Sequence, residues 1–324
     1  MKKVRVLFKV LSLCLAILLG LAAAGQADSV SVYEGTSLTD VSLFGSLDQH
    51  NQIIQAAYGN YGCQVTAYAN ALVYLQKAYP SIYGTSLVSD YSGDTLAHTA
   101  VTLGGADYMN VYVTRDGSNN ITGAGSCLRD QVWGVYNYIE GNAAHRTVYG
   151  AQMIPVPNYP AAPGGWTLAR PQPTWVKKDF LYPTEAFLSN ALRNKQGLVI
   201  CWNVANQDGM WLPGASHLLT VTGLTWDSSA KSGTLYFIDP STGTQRNSPF
   251  RQAANSVMLW LDYGEYAPGS PWKNSNGENW WYSGDVRITL ALAEGPAVPL
   301  PSTVLLLGSG LLGLAGVGRK LRKS

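Results

Sequence analysis

Apolar residues recur at helical spacing over Val65, Ala69, Leu72, Val73 and Leu75, behind glycines at 59 and 62 and ahead of Pro80. That period predicts a buried helix that opens at Cys63 and stops at the proline. Further helices are expected over Asp94–Leu103, closed by Gly104 and Gly105, and from a Ser126 cap through Ile139, with Leu128, Val132, Val135 and Tyr136 on one face. Another runs from Thr184 through Lys195 and closes at Gly197. Elsewhere the pattern shortens to that of strands. VYVTRDGSNNIT, within Asn110–Gly123, reads as a hairpin turning at Asp116-Gly117, and Leu198–Val204 reads as a buried strand. Leu218–Leu224 and Thr234–Ile238 are rich in β-branched and aromatic residues, and the intervening WDSSAKSG is turn material, so a second hairpin is expected. SVMLWLDY from Ser256 and DVRITLALA from Asp285 complete the strands. Helices first and antiparallel strands afterwards predict an α+β fold. Asp28–Asn51 reads as short strands and loops, and Pro155–Pro173, with six prolines, as a surface loop or arm.

Both ends depart from this pattern. Met1–Ala27 begins with Lys2, Lys3, Arg5 and Lys9, continues through VLSLCLAILLGLAAA and ends in small residues, which is the make-up of a secretory signal peptide cleaved after Ala24 or Ala27. Cys14 would leave with it. From Val298 a short Pro-Leu-Pro motif precedes about twenty apolar and small residues, long enough to span a bilayer, followed by Arg319, Lys320, Arg322 and Lys323 as a cytoplasmic stop. The expected division is a signal peptide over 1–27, one large domain over 28–295 and a membrane-directed segment over 296–324. The whole chain has 22 Lys and Arg against 20 Asp and Glu. With the four basic residues at each end set aside, the remainder is net acidic, which gives no footprint for nucleic acid.

Candidate chemistry gathers at three positions. Cys63 at the first turn of a helix meets unpaired backbone N–H groups and the positive end of the helix dipole, which favour the thiolate. His217 opens one strand of the second hairpin and Asp239 closes the other, so the hairpin can hold imidazole and carboxylate side by side at one end of a sheet. A thiol, a base and a group that orients the base are the parts of nucleophilic acyl transfer. Export would carry Cys63, Cys127 and Cys201 into an oxidising compartment. Three cysteines cannot all pair: Cys127 and Cys201 bridge and leave Cys63 free, or Cys63 is bridged and cannot react, or Cys201 in LVICWNV is a buried small hydrophobe. His98 and His145 have no cysteine or acid at a ligand spacing and read as surface or packed residues. No HExxH, paired CxxC, P-loop or dinucleotide fingerprint occurs, so no metal or nucleotide cofactor is implied.

Around Gly59–Pro80 and Gly214–Gly243 the chain resembles papain-like cysteine peptidases, the bacteriocin-leader-processing peptidases and secreted immunoglobulin-degrading proteases in particular. The resemblance implies a papain-like fold with a nucleophile helix in its N-terminal part and an antiparallel sheet in its C-terminal part. It also implies a protein or peptide substrate, with Cys63 as nucleophile, His217 as base and then acid, and Asp239 as the orienting group. In these families a glutamine about six positions before the nucleophile helps bind the oxyanion; Ala57 stands there, and Gln55 and Gln52 lie close enough to substitute, Gln55 being the one expected, with the backbone N–H of Cys63 as the other donor. The C-terminal segment resembles the PEP-CTERM sorting signal of exopolysaccharide-producing bacteria, with Pro-Leu-Pro in place of Pro-Glu-Pro, which implies an exosortase as partner and residence at the envelope. A second reading is a non-catalytic surface or biofilm-matrix protein on a peptidase-like scaffold. It would bind polysaccharide or a partner through Trp272, Trp280, Trp281 and Tyr282, within Pro268–Asp285.

Overall fold

The computed structural model of the chain describes residues 35–91, 93–154, 176–177, 182–205, 211–254, 256–263 and 285–297. The elements run β1 (Gly35–Leu38), α1 (Gln52–Tyr58), α2 (Cys63–Ala78), α3 (Pro80–Tyr83), α4 (Gly93–Leu103), β2 (Tyr112–Arg115), β3 (Ile121–Gly125), α5 (Leu128–Ala143) and β4 (Thr147–Met153). They continue with β5 (Val176–Lys177), α6 (Glu185–Arg193), β6 (Gly197–Ala205), β7 (Trp211–Asp227), β8 (Ser232–Asp239), β9 (Thr244–Gln252), β10 (Leu259–Asp262) and β11 (Asp285–Pro296).

Helix α2 is the axis of the helical part. Every residue from Gln64 to Gln76 is buried, as expected of a helix that is apolar almost all round. Two of its polar side chains, Asn70 and Gln76, pair with neighbouring backbone, whereas Gln64 Nε2 is buried without a partner. Asn70 accepts from the Leu47 N–H (2.8 Å) and donates to its carbonyl (3.2 Å), and Gln76 accepts from Leu87 and Val88 and donates to the Val88 carbonyl. Such pairing matters because a buried amide left unpaired costs about 1–3 kcal/mol.

The large sheet is mixed in origin and almost wholly antiparallel. β6 pairs with β7 along one edge and with β11 along the other, while β7, β8, β9, β10 and β11 pair in succession. Six strands therefore close into a ring, which removes their free edges. β1 pairs with β7, β4 with β11, and β5 lies parallel to β4. Two strands from the first half of the chain thus extend the sheet, a departure from the expected order of helices followed by strands.

Alternation along these strands sorts two cores. Leu198, Ile200, Trp202, Leu219, Val221, Phe237 and Ile288 gather on one face with Leu188, Ala191 and Leu192 of α6. Val199, Cys201, Leu218, Ile238, Leu290 and Leu292 face the other way, against α2, α4 and α5. The ring has its own core, and its outer wall contributes six residues to a second core built mostly by the helices.

Several boundaries differ from the sequence reading. Helix α5 begins at Leu128, and its cap is Cys127, whose sulfur accepts from the Asp130 N–H at 3.4 Å; Ser126 instead donates through N–H and Oγ to Gln64 Oε1, both at 3.2 Å. In SVMLWLDY only Leu259–Asp262 is strand. The expected signal peptide, Pro155–Pro173, the aromatic residues of 272–282 and the apolar C-terminal stretch lie outside the described residues.

Candidate active site

The approach to Cys63 is set by a close packing requirement. A Cβ on Gly62 would sit 2.3 Å from Ile54 Cγ2, so only glycine lets α1 pack against the turn that launches α2. Cys63 is the first residue of α2 and is partly exposed. The first N–H groups of any helix have no intrahelical acceptor, which places donors and a positive dipole end at the sulfur.

His217 lies on β7 opposite Trp202 of β6. The ring stands 5.6 Å from the Trp202 ring and 5.8 Å from the Tyr263 ring, and it is almost fully buried. Its Nε2 is 2.8 Å from Asp239 Oδ1, and the Cys63 sulfur lies near enough to the imidazole to interact with it. With Nε2 committed to the carboxylate, Nδ1 is the nitrogen left for the sulfur. Burial alone would lower the His217 pKa; the Cys63 sulfur and the Asp239 carboxylate reverse that and hold it at about 10.

Asp239 ends β8 at full burial, and the following turn is built on its side chain. Oδ1 accepts from the Ser241 N–H at 2.9 Å and from Ser241 Oγ at 2.7 Å, and Oδ2 accepts from Tyr263 and, at 3.4 Å, from Arg246. Burial would raise this carboxyl, but the His217, Tyr263 and Ser241 donors outweigh it and hold the group well below the usual carboxylate range. The turn needs Gly243, which has φ +64° and a Cβ position 2.6 Å from the Ser46 carbonyl. A hydrogen bond from Thr220 of β7 to the backbone of Ala67 in α2 ties the histidine strand to the cysteine helix.

The structure therefore brings Cys63, His217 and Asp239 together, and Gln55 stands apart from them. Gln55 is on the exposed face of α1, with Nε2 donating to Asn60 Oδ1 at 3.1 Å. A different glutamine occupies the junction. Gln49 is buried; its backbone N–H donates to the Pro240 carbonyl (2.7 Å), its Nε2 to the Asn60 carbonyl (3.3 Å), and its Oε1 is buried without a partner. Gln49, Ser241, Arg246 and Tyr263 carry no local motif that sequence reasoning could have used.

All three described cysteines are free. The bridge between Cys127 and Cys201 does not form, and Cys201 is the buried small residue of the third alternative. Burial pushes the Cys127 thiol up to about 11 and the Cys201 thiol to about 12, so both stay protonated at neutral pH. His98 is exposed and His145 lies 3.4 Å from Glu140. Among the described residues no group of three His, Cys, Asp or Glu side chains could hold a metal ion.

Residues 297–320 match the PEP-CTERM protein-sorting motif. That signal implies recognition by an exosortase and marks the chain as exported and sorted at the envelope or surface. The match covers the C-terminal segment and leaves the α+β domain unassigned. A comparison with curated proteins gives no match to this chain. No helix among the described residues is long and apolar enough to cross a membrane.

Proposed function

We propose that the protein is an exported cysteine peptidase, or a related amide hydrolase, of papain-like architecture that acts at the cell envelope on a protein or peptide substrate. One observation carries the reading: a free cysteine at a helix N-terminus lies close enough to interact electrostatically with an imidazole whose Nε2 is held by a buried carboxylate. Nucleophile, base and orienting group in sequence are what acyl transfer requires.

In the proposed reaction His217 takes the Cys63 proton, and a pKa near 10 lets it keep that proton at neutral pH. The sulfur adds to the amide carbonyl carbon, and the negative charge passes to the carbonyl oxygen, which faces the N–H of Cys63. The tetrahedral species collapses, the C–N bond breaks, and imidazolium gives its proton to the departing amine. Water, deprotonated by His217, then attacks the thioester and releases a carboxylic acid and the thiol. Gln49 is our candidate for a second oxyanion donor ahead of Gln55, because it is buried between Asn60 and Pro240 whereas Gln55 faces solvent. Cleavage of residues 1–27 and insertion of the C-terminal apolar stretch into the membrane before sorting complete the proposal.

Alkylation tests it. An iodoacetamide or epoxide probe should label the wild-type protein once, at Cys63, while Cys127 and Cys201 stay unlabelled in the folded state. Labelling should vanish in Cys63→Ala and slow in His217→Ala, and hydrolysis of a peptide library should be lost in both. A folded wild type whose Cys63 resists the probe, or hydrolysis that survives Cys63→Ala, would reject the reading. Among glutamines, Gln49→Ala should lower kcat by about 10²–10³, the usual effect of one oxyanion donor, and Gln55→Ala should leave it unchanged.

A further inference from the structure

The carboxylate of Asp239 is shared unequally. Oδ1 faces His217 Nε2 and both donors of Ser241, whereas Oδ2 faces Tyr263 and Arg246 from two other elements of the ring. Arg246 lies on β9, opposite Phe237 of β8. Tyr263 follows β10, is almost fully buried and stacks at a tilt 4.8 Å from Trp202. The hydroxyl of Tyr263 therefore reaches the carboxylate while its ring flanks the imidazole.

From these contacts we infer that Tyr263 and Arg246 are positioning residues that limit the basicity of His217 by competing with it for the charge of Asp239. A carboxylate that accepts a hydrogen bond from a phenol and faces a guanidinium through one oxygen concentrates less negative charge on the other. The imidazolium on Oδ1 is then stabilised less than it would be by an unencumbered acid. The groups that face His217 are Cys63 from α2, Asp239 from β8, the uncharged Trp202 ring from β6 and Tyr263 beyond β10; Arg246 acts through Asp239. Within them Cys63 and Asp239 favour the imidazolium, and Tyr263 and Arg246 moderate the second. The placement of these donors stands without the peptidase reading, but their effect on catalysis rests on it: they would keep His217 able to release its proton to the leaving amine.

The test is a titration of the full chain, purified in detergent and labelled at its histidines. The chain has four histidines, and His217→Ala assigns the resonance. Tyr263→Phe keeps the ring and removes the hydroxyl; Arg246→Gln changes a side chain that is 29% exposed and tolerates replacement. Each should raise the His217 pKa, by about half to one unit for the loss of one net hydrogen bond, with the double variant higher than either. The alkaline limb of kcat/KM should move up by the same amount. A His217 pKa that is unchanged or lowered in folded Tyr263→Phe and Arg246→Gln overturns the inference. Shifted titrations in a protein without hydrolytic activity would reject the peptidase reading and keep the inference; hydrolysis with an unmoved titration would do the reverse.

Discussion

Thr220 Oγ1 donates to the backbone carbonyl of Ala67 at 2.7 Å, and neither residue has measurable exposure. Thr220 is three residues beyond His217 on β7, and Ala67 is four residues beyond Cys63 on α2. The bond fixes the helix against the ring one turn away from the sulfur, so the distance between sulfur and imidazole is set by a contact that neither of them makes. Thr220→Val preserves shape and removes the donor. Loss of one buried hydrogen bond should cost about 1–2 kcal/mol of stability. If the bond sets alignment, kcat should fall by more than that loss of folded protein explains, with KM nearly unchanged. Chemical denaturation and steady-state kinetics on the same preparation separate the two effects.

His217 and Asp239 predict a pH window for stability. The folded His217 pKa is raised from 6.5 to about 10, so the folded state holds the proton more tightly than the unfolded chain. Its contribution is complete below 6.5 and is lost as pH rises toward 10. Asp239 is lowered from 3.8, so its contribution is present above that value and is lost as pH falls through it. Their ion pair should therefore support stability best between about 4 and 6.5. Denaturant midpoints taken across pH should decline above 6.5 in the wild type, and His217→Ala should flatten that decline by up to about 1.4 kcal/mol per pH unit.

Local patterns were the legible part of the fold. The cysteine helix opens and closes at the expected residues because Gly62 and Pro80 punctuate it, and the His217–Asp239 hairpin was readable because its strands are apolar and its turn is polar. Ring closure was not readable, since the pairing of β6 with β11 joins residues 84 to 97 apart and no local signal encodes it. β9 is not legible because TQRNSPFRQ resembles a loop; only Ser248 and Phe250 are buried along it. Gln55 was chosen by proximity in sequence, and helix α1, capped by the Asn51 side chain, turns it to solvent. The same capping logic failed at α5, where Ser126 is drawn off to Gln64 and the neighbouring Cys127 becomes the cap.

Among the described residues, Glu294 is a buried carboxyl without a hydrogen-bond partner. It lies on β11 with both carboxyl oxygens lacking partners, and burial holds its pKa well above the usual 4.5 of a glutamate. An acid raised on folding has its stability contribution intact below its unfolded pKa and loses it as pH rises beyond. Wild-type stability should therefore already decline between about 4.5 and 6.5, before His217 begins to titrate in the unfolded chain. Glu294→Gln, which cannot ionise, should remove that first slope and leave above 6.5 only the part of the decline that His217 contributes. An unchanged slope over that lower interval would mean that the carboxyl finds a cation or water that neutralises its cost.

Two glycines in α5 should respond to the same substitution with opposite signs. Glycine inside a helix is normally about 0.5–1 kcal/mol worse than alanine, and Gly141, whose added Cβ would meet nothing within 4 Å, should follow that rule. Gly134 should not. Its Cβ would fall 2.3 Å from the Met109 nitrogen and 2.5 Å from the Met109 Cα, which are backbone atoms and cannot rotate away. Overpacking of this kind costs about 1–3 kcal/mol, more than the helix propensity returns, so Gly134→Ala should lower the denaturation midpoint while Gly141→Ala raises it. Because Met109 precedes the β2–β3 hairpin and α5 follows it, the displaced backbone should also loosen that hairpin, visible as faster amide exchange at Val113 and Ala124. Stabilisation by Gly134→Ala would show that α5 does not pack against the 108–109 backbone as closely as these distances require.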